Sequence, residues 1–114
     1  MIKEQAFTPE QLETIQIKLI ALLCYVKKHD ARPLPECFRF CERIVRNIDI
    51  SRDACYAESD ELTQLIKDHW RSACHFRVGL SDYCIPNDEM EIQVNMNRAI
   101  AKQVSEIEQH INVR

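Results

Sequence analysis

The sequence predicts an all-α fold, a compact bundle of about four helices closed by a long C-terminal helix. Three observations predict it. Apolar residues recur at intervals of three and four along most of the chain, prolines punctuate the break between the first two such stretches, and Gly79 is the only glycine. The scarcity of glycine also limits function. Phosphate-cradling loops and tight hairpin turns draw on several glycines for positive φ or close backbone approach, so Walker A and dinucleotide-binding loops are excluded.

The first helix starts where Thr8 can cap, Pro9 suits the first helical position and Gln11 completes a capping box, and it runs to about His29. Leu12, Ile15, Leu19, Leu22, Leu23 and Val26 form its inward stripe. Ile17, Ile20, Cys24 and Tyr25 widen the apolar arc until little of the second half is polar, so the helix either runs through the middle of a bundle or is covered by a second copy. Pro33 and Pro35 stop this segment and restart the chain. In the second helix Leu34, Cys37, Phe38, Cys41, Ile44, Val45 and Ile48 face inward, while Arg39, Arg43 and Arg46 occupy the other side.

Between Asp49 and Ser59 the pattern weakens, and a short turn started by Ser51 is expected before Ser59 or Asp60 caps the third helix. That helix carries Leu62, Leu65, Ile66, His69, Trp70, Ala73 and Cys74 inward, and Gly79 is expected to mark its end. Beyond it Met90, Ile92, Val94 and Met96 alternate with polar residues as a half-buried strand would, which leaves an α+β alternative with a small hairpin spanning residues 76–96. A single helix from about Asn87 to Asn112 is preferred. It continues the same apolar arc through Ile100, Val104, Ile107 and Ile111, and a strand would find a pairing partner only around residues 76–80.

Composition fits one helical domain over residues 1–114: apolar residues make up 46% of the chain and charged residues 29%, proportions of a globular protein with one core. The net charge of −3 offers no chain-wide attraction for nucleic acid or an anionic membrane surface. The longest apolar run, Leu19 to Val26, is too short to cross a bilayer, and Lys3 and Glu4 open a polar stretch unlike a signal peptide. A cytoplasmic location is therefore expected, with the six cysteines reduced, mostly buried, and no cofactor.

Several residues carry candidate chemistry. Cys37 and Cys41 lie one helical turn apart and would supply half of a zinc site with His69, Cys74 or His75 completing it, although both fall inside an apolar stripe where a small hydrophobe serves packing. His69 would act as a base only if a cysteine approached from another helix; a core histidine with one hydrogen bond is the plainer reading. The acidic pairs Asp60–Glu61 and Asp88–Glu89 are explained by favourable positions at helix starts. Arg39, Arg43 and Arg46 beside Phe40 form a candidate partner-binding face, since the guanidinium group binds carboxylate or phosphate through two hydrogen bonds and stacks on aromatic rings. Ile100, Val104, Ile107 and Ile111, spaced four-three-four, form a candidate seam for a second copy.

The function expected from these features is that of a non-enzymatic helical interaction module, an adaptor, inhibitor or regulator that binds another protein and can form a homodimer. Two alternatives stand beside it: a small nucleic-acid-binding regulator using the arginine face, and a thiol-based metal or redox sensor. No membrane partner is expected.

Overall fold

The computed structural model describes residues 6–75, 79–80 and 83–112. Four helices account for most of them: α1 (Pro9–His29), α2 (Glu36–Asp53), α3 (Ser59–His75) and α4 (Met90–Ile111). No strand occurs among the described residues, and Met90 to Met96 are helical, so the hairpin alternative is set aside. Residues 76–78 and 81–82 of that proposed hairpin lie outside the described residues.

The start of α1 follows its sequence signals. Thr8 Oγ1 accepts from the Gln11 amide at 3.1 Å, and Gln11 Oε1 accepts from the Thr8 amide at 2.8 Å, so two otherwise unpaired donors of the first turn are satisfied reciprocally. The helix begins two residues later in α2 than its apolar stripe, at Glu36, because Pro35 holds an extended φ/ψ in front of it. No separate turn begins at Ser51; α2 continues through it to Asp53. The five-residue connection to α3 then places Cys55, Tyr56 and Glu58 at φ 56°, 59° and 59°, a left-handed backbone that L-residues adopt at a cost.

Gly79 does not act as a left-handed helix terminator, since no glycine in the described residues has positive φ; whether α3 runs up to it falls on residues 76–78, which lie outside the described residues. Its role is close approach. Gly79 lies so close to the end of α3 that a Cβ there would collide with the Cys74 carbonyl oxygen, and the next amide, that of Leu80, donates to the Ala73 carbonyl at 3.2 Å.

The helices pack as an antiparallel circuit. On the α1–α2 side Gln16 donates to Asp49 at 2.8 Å and Lys27 lies 3.3 Å from Glu42; on the α2–α3 side the rings of Phe40 and His69 are 6.0 Å apart. α4 lies along α1, with Lys18 3.5 Å from Glu106, and meets α3 where Trp70 Nε1 donates to Glu108. One core runs through the middle, with Leu12, Ile15, Leu19, Leu22, Phe38, Ile44, Ile48, Ile66, Trp70 and Ile107 fully enclosed. The start of α4 is its most exposed part, with Met90 79% exposed.

Polar side chains tie the connections to this core. Asp30, at the end of α1, accepts from Arg32 through both carboxylate oxygens at 2.9 Å and from the Tyr83 hydroxyl, while Arg32 Nη2 donates to the Cys84 carbonyl at 2.9 Å. Asn97 Oδ1 accepts from the Ile85 amide at 2.8 Å and its Nδ2 donates back to the Ile85 carbonyl at 3.4 Å, so a side-chain amide stands in for a neighbouring strand. At the other end Thr63 Oγ1 accepts from the Phe7 amide at 2.9 Å.

Candidate interaction surface

At 100° per residue, Glu10, Glu13, Ile17, Ile20, Ala21, Cys24, Lys27 and Lys28 fall within roughly one third of the circumference of α1. All eight are exposed. Leu12, Ile15, Leu19, Leu22 and Val26 occupy the opposite arc and are buried. The wide apolar arc of the sequence is thus divided between a core face and an outward stripe, on which Ile17 is 66% and Ile20 42% exposed. Ile20, Cys24 and Lys27 also form one wall of a groove of about 350 Å³, closed on the α2 side by Glu42, Val45, Arg46 and Asp49. The floor is Leu23, which is nearly enclosed.

The charged order along this stripe is simple: Glu10 and Glu13 at its start, the apolar residues in the middle, Lys27 and Lys28 at its end. Neighbouring helices hold some of these charges in place. Lys27 pairs with Glu42, and Glu13 accepts from the Tyr56 hydroxyl at 3.5 Å.

The arginines of α2 remain one exposed row, but their surroundings differ. Arg39 lies 3.5 Å from Glu36, the Arg43 guanidinium sits 5.1 Å from the centroid of the Phe40 ring, and Arg46 belongs to the α1–α2 groove. Phe40 is half-buried against the core, so it is not a protruding anchor. Of the residues expected to form a seam on α4, Ile100, Ile107 and Ile111 are enclosed by the chain's own helices and Val104 is packed against them. The same apolar stripe that identified α4 as a helix is consumed by the monomer's core.

The cysteines are not mostly buried as expected: Cys24, Cys55 and Cys84 lie exposed, the first on the outward face of α1 and the other two in connections outside the helical stripes, and only those of α2 and α3 turn inward. Cys37 and Cys41 are buried on α2, and Cys74 of α3 is half-buried near them. Burial pushes all three thiols up, Cys74 to about 11 with the Glu108 carboxylate and Cys37 adding to the shift, and the neighbouring Cys37 and Cys74 reinforce it at Cys41. A thiolate, the form that ligates zinc or attacks an electrophile, is disfavoured there. His69 is held below the usual histidine range by burial and by the Arg43 charge. Among the described residues no group of three or more histidine, cysteine or acidic side chains is arranged to hold a metal ion.

Sequence reasoning missed a cleft of about 700 Å³ between α3 and α4. Apolar Trp70, Leu80, Tyr83, Ile100 and Val104 line it together with the polar Lys67, Arg71, His75 and Glu108. It opens because α4 leans on α1 more than on α3, a consequence of helix packing that periodicity does not encode. Cys74 and His75 both border it, but the raised thiol opposes nucleophilic chemistry at that point.

No helix among the described residues is long and apolar enough to cross a membrane. No protein-family model matches the chain, and no curated protein or solved structure matches it either.

Proposed function

We propose that the chain is a non-enzymatic helical interaction module that acts by binding another protein through the outward stripe of α1. One observation carries this reading: Ile17, Ile20 and Cys24 lie exposed on a single face beside the groove that Val45 and Arg46 border. Apolar side chains gathered on one face, with a polar rim, mark interaction sites more often than isolated ones do. A groove beside them gives a partner's side chains somewhere to insert.

The test is affinity capture from the native cell with the wild-type chain and with an Ile17→Ser/Ile20→Ser variant. Both positions are exposed, so the variant should unfold at the same urea midpoint as wild type. Proteins retained by wild type and lost by the variant support the reading; an identical bound set for both overturns it. Nucleic acid retained by both forms, and released when Arg39, Arg43 and Arg46 are replaced by alanine, would move the function to the α2 face.

A further inference from the structure

We infer that the partner of this stripe is a second copy of the chain, with the two α1 helices pairing antiparallel about a two-fold axis that passes between Ile20 and Ala21. This rests on the interaction-module reading and names its partner.

The argument begins with charge order. Along the exposed face acidic residues come first, Glu10 and Glu13, and basic residues last, Lys27 and Lys28, with an apolar centre between them. Parallel pairing would set Glu13 against Glu13 and Lys28 against Lys28. Antiparallel pairing sets Glu13 of each copy against Lys28 of the other, so the same stripe complements itself, as a two-fold interface requires. These rim pairs choose orientation more than they add affinity.

The apolar residues obey the same symmetry. Centring the axis where Glu13 meets Lys28 also sets Ile17 against Cys24 and brings Ile20 and Ala21 each within about 1.5 Å, along the helix, of its own copy, so the apolar centre meets itself. Ala21 at the centre lets the helix axes approach closely, and the spacing of Ile17, Ile20 and Cys24 by three and four is that of a helix–helix seam. Ile17 of the second copy arrives beside Cys24, on the wall of the groove shared with Val45. The outward arc is then covered without any change in the bundle.

Sedimentation equilibrium of the full chain over about 1 µM to 1 mM tests the association. The expected result is a reversible rise from the 13.4 kDa monomer to twice that mass. Ile20→Glu, which opposes its own copy near the axis, should weaken the dimer at least about tenfold while leaving the urea midpoint of the monomer unchanged. Glu13→Lys and Lys28→Glu should each weaken it, and mixing those two variants should restore a heterodimer.

Crosslinking tests the orientation. In a background where the exposed Cys55 and Cys84 are serine, Cys24 should not form a disulfide with its own copy, because antiparallel pairing offsets the two positions by about 10 Å along the axis. Moving the thiol to the axis with Ala21→Cys/Cys24→Ser should give a disulfide dimer under mild oxidation. Rapid crosslinking of Cys24 with none at position 21 overturns the antiparallel pairing. A wild-type chain that stays monomeric throughout overturns the dimer, and if the Ile17→Ser/Ile20→Ser variant still loses a different protein in the capture experiment, the interaction reading survives without it.

Discussion

The Tyr83 hydroxyl donates to Asp30 Oδ2 across 53 residues of sequence, inside the buried end of the bundle. The bond joins the end of α1 to the segment leading into α4, and the Tyr83 ring stands edge-on to Phe38 at 4.7 Å, so the same residue also reaches α2. Arg32 completes the arrangement and holds the Asp30 carboxyl well below the usual carboxylate range, with Tyr83 adding to the effect against the opposing influence of burial.

Loss of this site should be graded. Tyr83→Phe keeps the ring against Phe38 and removes only the hydroxyl, at a cost of about 1 kcal/mol. Asp30→Asn leaves Arg32 without its ionic partner and should cost about 2 kcal/mol by urea denaturation near neutral pH. Because the folded carboxyl has the lower pKa, its contribution is complete above the unfolded value of about 4 and disappears as pH falls through the folded one. The difference between wild type and Asp30→Asn should therefore shrink on acidification, and a constant difference would exclude the ionised pair.

Gly79→Ala should be costly although it adds one carbon. The new methyl group would meet backbone rather than a movable side chain, colliding with the Cys74 carbonyl oxygen and lying 3.1 Å from that of Ala73. A loss of about 2 kcal/mol or more is expected, read as a lower urea midpoint with an unchanged m value. Wild-type stability in the variant would show that Gly79 does not lie so close to the end of α3.

Thiol reactivity should divide the cysteines. In the native chain Cys24, Cys55 and Cys84 are exposed and should react first with an aromatic disulfide reagent, Cys74 slowly, and Cys37 and Cys41 only on unfolding. Mass spectrometry of the labelled peptides checks the order. Under the pairing inferred for α1, Cys24 alone among the fast thiols should become slower as protein concentration rises.

The helices were legible because their information is local. The Thr8–Gln11 capping box places the start of α1, and three-four spacing on α3 and α4 matches the side chains that are enclosed, such as Ile66, Trp70, Ile100 and Ile107. The alternation of Met90, Ile92 and Val94 is a misleading local signal, since all three are helical and lie exposed at the start of α4. What the chain withheld was mostly long-range. Asp30 and Arg32 are near neighbours, but nothing in their spacing indicates Tyr83. Gln16 reads as a polar interruption of an apolar helix, yet it is buried because Val45 and Asp49 of α2 supply acceptors for its amide.

The candidate surface was half legible. Excess apolar character on α1 was visible as composition, but which residues would be left outside depended on where α2 and α4 came to rest. Phe40 shows the converse: its place beside three arginines resembled a binding anchor, and only the fold reveals it turned toward His69 beneath Arg43.

The connection from α2 to α3 holds Tyr56 in a backbone form suited to glycine, and the far end of its side chain is tied to two helices. Its hydroxyl accepts from Arg52 Nε at 3.2 Å and donates to Glu13 on α1, while its amide donates to the Ser51 carbonyl at 2.8 Å. Glycine in its place would relax the main chain and cut one of the two ties between α1 and the corner, leaving Arg52 on Gln16. That corner is a latch with two catches, the Tyr56 phenol on Glu13 and the Arg52 guanidinium on Gln16.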